Sequence, residues 1–329
     1  MLKNQRVLVT GADGFIGSHL TEALVRDGAE VRAFCLYNSN GSAGWLDRAD
    51  PEIRQSIEFV LGDVRDERFV EQACDGIEIV FHLAALIAIP YSYAAPSSFV
   101  ETNVTGTLNV LEAVRRNGCR LLIHTSTSEV YGTPETVPIT EGHPVKGQSP
   151  YSATKIAADK LAEAYHASFA TPVVTLRPFN TYGPRQSTRA VIPTMLSQLI
   201  SGSRNVRLGS LTPKRDFTYV GDTVAGFIAA GGSTGLEGEV IQLGTGKTFS
   251  IAEIFDMAKR LTGSDAEVQS ESERVRPENS EVMVLLSDPQ RARELLGWTP
   301  TVSIEDGLSR TAKWIETNME LFEPGRYHI

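Results

Sequence analysis

Residues 6–17, Arg-Val-Leu-Val-Thr-Gly-Ala-Asp-Gly-Phe-Ile-Gly, restrict the fold more than any other part of the chain. A short β-rich run leads into glycines at three-residue spacing, and an amphipathic pattern through Leu20, Ala23 and Leu24 follows. Strand, glycine turn and helix in that order make the opening of a βαβ unit. Gly11 permits the tight turn, Gly14 lets backbone approach a pyrophosphate, and Gly17 lets the helix sit close to the strand. The helix N-terminus then faces the phosphates, because its first N–H groups have no partner within the helix. The glycines fall as GxxGxxG, a variant of GxGxxG. Alone, such a triplet is equally a plain strand-to-helix turn; the flanking elements favour a dinucleotide site.

The alternation continues downstream. Strands are expected at 30–36, 57–61, 78–83 and 121–124, and a long helix at about 97–116 carries Val100, Val104, Leu108, Leu111 and Val114 on one stripe. The 78–83 run is nearly continuous in apolar residues, as a strand covered on both faces must be. The pattern predicts an α/β protein with a Rossmann-type doubly wound parallel sheet. A chain of 329 residues exceeds the roughly 250–300 at which single cores stop growing. A dinucleotide-binding lobe at 1–178 and a smaller C-terminal α/β substrate lobe at 179–329 are therefore expected, with a strand around 215–245 returning to the sheet.

The end of the 30–36 strand reads Cys35-Leu36-Tyr37-Asn38. NAD-selective sites place a carboxylate there for the ribose hydroxyl, and NADP sites an arginine for the phosphate. Neither is present, so NAD and NADP both stay open. Asp63, after the third strand, is placed to meet the adenine amine or to cap the helix starting near Arg65. Ala84 and Ala85 are small enough to let a cofactor lie against the fourth strand's end.

A second constellation is Ser149-Pro150-Tyr151-x-x-x-Lys155. Ser149 suits an N-cap and Pro150 the first turn, so Tyr151 and Lys155 fall four apart on one helix face. An ammonium beside a phenol favours the phenolate, bringing a group with an ordinary pKa of about 10 toward working pH. By itself the spacing is as well explained by an exposed chance pair.

Composition excludes several classes. A net charge of −9 argues against non-specific nucleic-acid or anionic-membrane binding, so an anionic ligand needs named arginines. Cys35, Cys74 and Cys119 form neither a CxxC nor an even framework, which fits buried thiols in a reducing compartment and no metal. The N-terminal residues lack the apolar region of a secretory signal, and the longest apolar stretch, 77–90, is too short to cross a bilayer. A cytoplasmic protein is expected.

With Gly11-x-x-Gly14-x-x-Gly17, His82-Leu83-Ala84-Ala85, Ser126-Thr127 and Tyr151-x-x-x-Lys155 in this order, the chain resembles the extended short-chain dehydrogenase/reductase family. More narrowly it resembles the NAD(P)-dependent nucleotide-sugar epimerases and dehydratases. The resemblance implies Thr127 orienting the sugar O4, Tyr151 as acid/base and Lys155 bridging Tyr151 and the nicotinamide ribose, with Asn103 supporting the site from the long helix. It implies a tightly bound, recycled NAD+ or NADP+ held by Gly11, Gly14, Phe15, Ile16, Gly17, Asn38, Asp63, Val64, Leu83, Ala84, Ala85, Asn103, Tyr151, Lys155 and Phe179.

Ser128-Glu129 after Thr127 resembles the Thr-Ser-Glu of GDP-mannose 4,6-dehydratases and the Thr-Asp-Glu of other 4,6-dehydratases. Elimination of water across C5 and C6 requires a base for the C5 proton and help for the departing O6, a task for Glu129 and Ser128. UDP-glucuronate decarboxylases share the Ser-Thr-Ser-Glu-Val-Tyr-Gly segment, and 4-epimerases share the rest. The stretches 84–93 and 34–47 look most like N-acetylglucosamine nucleotide 4,6-dehydratases of legionaminic-acid-type pathways. An NAD(P)-binding redox sensor is the non-enzyme alternative.

In the second lobe, Arg177-Pro178-Phe179-Asn180-Thr181-Tyr182-Gly183-Pro184-Arg185 and Arg215-Asp216-Phe217 resemble the family's substrate segments. Asn180, Arg185, Arg215 and Arg276 are implied as ligands of a nucleotide-diphosphate sugar, and the basic 186–189 stretch as its cover. A homodimer formed by the long helix and the Tyr151 helix is also implied.

Overall fold

The computed structural model describes residues 2–275 and 277–326. Arg6–Thr10 (β1), Glu30–Leu36 (β2), Ile57–Gly62 (β3), Ile79–His82 (β4), Leu121–Thr125 (β5) and Val173–Pro178 (β6) are the first six strands of one sheet. A seventh, Val240–Leu243, joins at the edge of β6, and the order is Val240–Leu243, β6, β5, β4, β1, β2, β3, every pair parallel. Successive connections run outward one way from β1 and then the other from β4. The crevice between those two strands is where such sheets take ligands.

Period-two alternation feeds two cores. Val7, Val9, Val31, Ala33, Ile79, Phe81 and Ile123 pack on one face with helices Phe15–Arg26 and Val220–Gly231. Leu8, Phe34, Val80 and Leu122 pack on the other, with Val70, Val110, Leu111, Val114 and Ala162 of helices Glu67–Ala73, Gly106–Asn117 and Pro150–Phe169. Burial on both faces explains why the strands read as continuous apolar runs. Cys35, Cys74 and Cys119 are buried free thiols.

A third core gathers Ile192, Met195 and Leu196 with Ile254, Ala258, Leu308 and Ile315, from helices Val191–Ile200, Ile251–Thr262 and Ile304–Thr317. Two short parallel strands, Asn180–Tyr182 and Phe217–Tyr219, stand between this core and the sheet. The chain therefore leaves the sheet after β6, then returns through the Val220–Gly231 helix and the seventh strand. Among the described residues no helix is long and apolar enough to cross a membrane.

The expected continuous helix at 97–116 is corrected. Pro96–Phe99 is followed by a π-helical stretch, Val100–Thr105, before Gly106–Asn117 begins. Wider turns add residues between repeats and rotate the face inward. Asn103, Thr107, Val110 and Val114 are buried as a result, while Val100 is 50% exposed and Val104 and Leu108 only half-buried.

Candidate active site

The carboxyl end of β5 meets the start of the Pro150–Phe169 helix. Thr127 caps a single 3-10 turn, Ser128–Tyr131, its hydroxyl accepting the Glu129 N–H at 3.2 Å. Opposite, Ser149 caps the helix in a reciprocal box with Ser152, and Pro150 occupies its first turn. Such a cap contributes about 1 kcal/mol and fixes the helix's first residue. Tyr151 and Lys155 follow one turn apart, 7% and 4% exposed.

The expected lysine-activated phenolate is corrected. Lys155 Nζ donates to the Thr125 carbonyl at 2.5 Å. Burial pushes the Tyr151 phenol above its ordinary value; the Thr127 side chain bonded to it acts the other way, and the Glu129 and Asp159 carboxylates add to the rise. Burial pushes Lys155 down to about 8 against the pull of Asp159. Desolvation penalises both charged forms, and here it outweighs the neighbours. In the free protein Tyr151 is a neutral proton donor. Glu129 is half-buried and near enough to act on the phenol, and Ser128 is buried beside it.

On the cofactor side, Gly11 sits at φ +69°, where a Cβ would lie 2.8 Å from Ala84 N, and a Cβ on Gly17 would lie 2.0 Å from Gly11 O. No side chain there is tolerable. Gly14 is the N-cap of Phe15–Arg26, and no side chain caps that helix. Phe15 and Ile16 thus open an uncapped helix start against half-buried Leu83, Ala84 and Ala85. That arrangement fits a pyrophosphate on the helix N-terminus.

A chain of bonds carries this geometry inward. Thr10 Oγ1 accepts the Leu83 and Ala84 N–H groups, each at 3.2 Å, so its proton goes to His82 Nδ1 at 2.8 Å. Thr107 Oγ1 donates to Asn103 O at 2.7 Å and so accepts from His82 Nε2 at 3.1 Å. These partners admit only the neutral, Nε2-protonated imidazole. Burial first, then His124 and Lys155, hold the His82 pKa well below its ordinary value.

Several expected cofactor ligands have other work for their side chains. Asn103 accepts from Leu86 N at 2.8 Å and donates to Leu86 O at 2.9 Å and Thr154 Oγ1 at 3.0 Å, which spends both amide hydrogens. It clamps the Ala85-side loop to the Tyr151 helix, so support, and not cofactor contact, is what its amide provides. Asn38 is likewise spent on its own loop: Oδ1 accepts from Asn40 and Ser42 N, and Nδ2 donates to Leu36 O and Ser42 O. Asp63 pairs with Arg65 at 2.6 Å, and the helix cap expected of it belongs to Asp66. Val64 packs against Gly106, and Phe179 is buried with Tyr131.

On the substrate side, Asn180 Oδ1 is buried with no hydrogen-bond partner among the described residues. A buried acceptor in that condition calls for a donor that a ligand can bring. Arg215 is buried and pairs with Glu281 at 2.8 Å. Arg276 lies outside the described residues. Arg185 is corrected: at φ +71° it turns back to the first helix, where it meets buried Glu22 at 2.6 Å and donates to Ser18 Oγ at 3.1 Å. A guanidinium distant in sequence neutralises that carboxylate together with Arg26 at 3.1 Å, so the Arg185 side chain is engaged with the first helix. Gln186, Ser187, Thr188 and Arg189 line an open cavity of about 410 Å³ with Trp45, Leu321 and Phe322, apart from Thr127 and Tyr151.

Sequence reading missed the buried polar cluster behind the site. Asp159 accepts from His124 Nε2 at 3.1 Å, Ser126 Oγ at 2.7 Å and Arg177 Nη2 at 2.9 Å. Arg177 also donates to Tyr131 Oη at 2.9 Å, and Gln242 Nε2 to the same oxygen at 2.7 Å. The available signal was spacing, because Asp159 extends the Tyr151, Lys155 series by four more residues.

Comparison with known proteins agrees with this geometry. Residues 8–311 match the family model described as GDP-mannose 4,6 dehydratase. The chain is 33% identical to a UDP-glucose 4-epimerase of Mycolicibacterium smegmatis, covering 96% of this chain and 100% of that one. It is 34% identical to a dTDP-glucose 4,6-dehydratase of Streptomyces griseus, covering 97% and 96% respectively. The solved dTDP-glucose 4,6-dehydratase of Streptomyces venezuelae with NAD bound superposes with a TM-score of 0.85 at 31% identity, over 97% of this chain and 99% of that one.

Proposed function

The chain belongs to the GDP-mannose 4,6-dehydratase family of extended short-chain dehydrogenases, enzymes that act on nucleotide sugars with NAD, and from that premise we propose that it is a 4,6-dehydratase. Its substrate is a UDP- or GDP-hexose, of the N-acetylglucosamine type by the resemblance of residues 34–47 and 84–93. The observation that carries this reading is Glu129, presented by a capped turn close enough to act on the Tyr151 phenol.

The uncapped start of Phe15–Arg26, with Gly11, Gly14 and Gly17, would hold the dinucleotide's pyrophosphate, and Lys155 its ribose. When bound, the nicotinamide supplies a hydride acceptor that later returns what it took. Tyr151 exchanges the O4 proton, with Thr127 fixing the phenol oxygen. A C4 carbonyl acidifies the C5 hydrogen, which the Glu129 carboxylate removes. O6 leaves as water on the proton that Glu129 took from C5, passed directly or relayed through the Ser128 hydroxyl. The hydride returns to C6, and C5 is reprotonated from solvent or by the proton Tyr151 took from O4. Asn180 and Arg215 hold the diphosphate, the arginine by charge-assisted bonds that an acidic protein otherwise lacks. NAD is the cofactor we infer, since the Streptomyces venezuelae neighbour carries it and no arginine stands at the end of β2. A homodimer through the outer faces of Gly106–Asn117 and Pro150–Phe169, in the cytoplasm, completes the reading.

A panel of UDP- and GDP-hexoses incubated with the enzyme and read by mass spectrometry tests it. Loss of one water with no net nicotinamide consumption is expected. An unchanged mass with inversion at C4 identifies an epimerase, the second reading, which the 33% identical epimerase relative favours. Loss of carbon dioxide identifies a decarboxylase.

A further inference from the structure

The Pro150–Phe169 helix carries three buried polar side chains at successive intervals of four, Tyr151, Lys155 and Asp159. The first two have partners in the reaction. Asp159 lies deeper and gathers two strand ends: His124 from β5 with Ser126 just past its end, and Arg177 from β6. Each β5 partner adjoins a residue that touches the first two. His124 precedes Thr125, whose carbonyl receives Lys155 Nζ, and Ser126 precedes Thr127, whose side chain meets the Tyr151 phenol.

We propose that Asp159 is a positioning residue of the active site: it fixes the β5 terminus against the helix, so that Thr125 O and Thr127 reach Lys155 and Tyr151 together, and from one helical turn away, though ion-paired to Arg177, its buried negative charge favours the Lys155 ammonium. The roles of Tyr151 and Lys155 in this inference rest on the function proposed above. A purely structural ion pair would need Arg177 alone. Asp159 instead accepts from three donors on two strands, which pins both the height and the rotation of the turn at Ser126.

The groups facing this carboxylate and the ammonium are few. On the same helix there is Tyr151; from β5, His124; from β6, Arg177; and from β4, His82, while Glu129 acts on the Tyr151 phenol and Glu141, which accepts from Gln242 N, acts on Tyr131 behind Arg177. His82 and His124 are held neutral chiefly by burial, so neither sets a like charge against Lys155. Burial brings Lys155 down to about 8, with Asp159 the charge that opposes it. Losing that charge leaves desolvation unopposed.

The test follows the ¹³Cε resonance of Lys155 through a pH titration, in protein grown on labelled lysine and assigned by the peak lost in Lys155→Met. A midpoint near 8 is expected for the wild type, and one lower by about one pH unit in Asp159→Asn. An equal midpoint in the two proteins overturns the charge role. Ser126→Ala cuts only the arm toward Thr127, and it decides the positioning role should Asp159→Asn not fold. Its kcat is expected to fall about tenfold with KM and the Lys155 midpoint unchanged, and a wild-type kcat overturns it. The resonance needs no substrate. A wild type without turnover on any nucleotide sugar would therefore sink the dehydratase reading while leaving Asp159 to be judged on its own.

Discussion

Lys155 and Thr125 are joined by a 2.5 Å bond from ammonium to main-chain carbonyl, and the Tyr151 phenol one turn away keeps its proton. Bond and burial together make the free site an acid in waiting, because desolvation moves the tyrosine and the lysine in opposite directions. A bound cofactor brings a positive nicotinamide and ribose hydroxyls, the groups able to reverse that balance. Tyr151→Phe should lower kcat by about 10²–10⁴-fold while nucleotide-sugar affinity, measured by calorimetry, stays within about threefold. A variant that loses binding in proportion to rate would make the tyrosine a binding residue only.

Glu129→Gln separates the two halves of the proposed reaction. It keeps the turn, whose cap uses the Glu129 main chain, and removes the base. In deuterated water the wild type should place solvent deuterium at C5, and the variant should lose dehydration by about 10²-fold or more while still oxidising C4 transiently. Full dehydration by Glu129→Gln would transfer the base to another group.

Gly17→Ala tests the glycine turn. Its Cβ would stand 2.0 Å from Gly11 O, a clash between backbones that no rotamer relieves. A loss of about 1–3 kcal/mol is expected, visible as a lower Tm, together with purified protein depleted of nicotinamide cofactor by absorbance. Gly41→Ala, with nothing within 4 Å of the added carbon though at φ +65°, should cost about 1 kcal/mol and leave cofactor content intact.

Arg185→Ala should act on stability and little on substrate affinity. Glu22 is 5% exposed and keeps Arg26 as a second, exposed partner at 3.1 Å, so losing Arg185 leaves the buried carboxylate partly compensated, a cost of about 1–3 kcal/mol. Adding Glu22→Gln should restore a substantial part of it. Urea denaturation of the wild type and the two variants measures the effect, and a fall of tenfold or more in nucleotide-sugar affinity in Arg185→Ala would return that arginine to substrate binding.

Acid should weaken the fold earlier than carboxylate titration alone would. His82 and His124 are held below their ordinary value chiefly by burial, and His19, which donates to Pro184 O at 3.0 Å, is brought down to about 4. Each has a folded pKa below the unfolded 6.5, so between the two values the unfolded chain binds the extra proton. The stability these groups contribute is present above about 6.5 and is lost as pH falls toward their folded values. Urea midpoints should drop between pH values of about 7 and 5, and His19→Gln should remove up to about 2 kcal/mol of the stability lost over that window.

Local chemistry made much of the architecture legible. The glycine spacing, the doubly apolar strands and the Ser149-Pro150 helix start each depend on residues within a turn of one another, and each stands where the pattern put it. What escaped depends on distance or on an irregular repeat. The π-helical stretch at Val100–Thr105 breaks the 3.6 period, so Val100 turns outward and Val104 only partly inward, Asn103 is buried instead, and the later part of the stripe, Leu111 and Val114, stays buried as expected. Arg185 pairs with Glu22, which no local pattern announces. The direction of the Tyr151 shift was misread because the sequence shows the neighbouring lysine and not the burial of both groups.

The seventh strand has a consequence for anyone who would divide this molecule. Val240–Leu243 borders β6, and Gln242 reaches the Tyr131 hydroxyl that also receives Arg177. A fragment stopping after Pro178 would expose a raw sheet margin and strand Tyr131 without one of its two donors. Exchanging the sugar-recognising half as a cassette thus means carrying residues 220–243 along with the cofactor half, spliced at two seams instead of one.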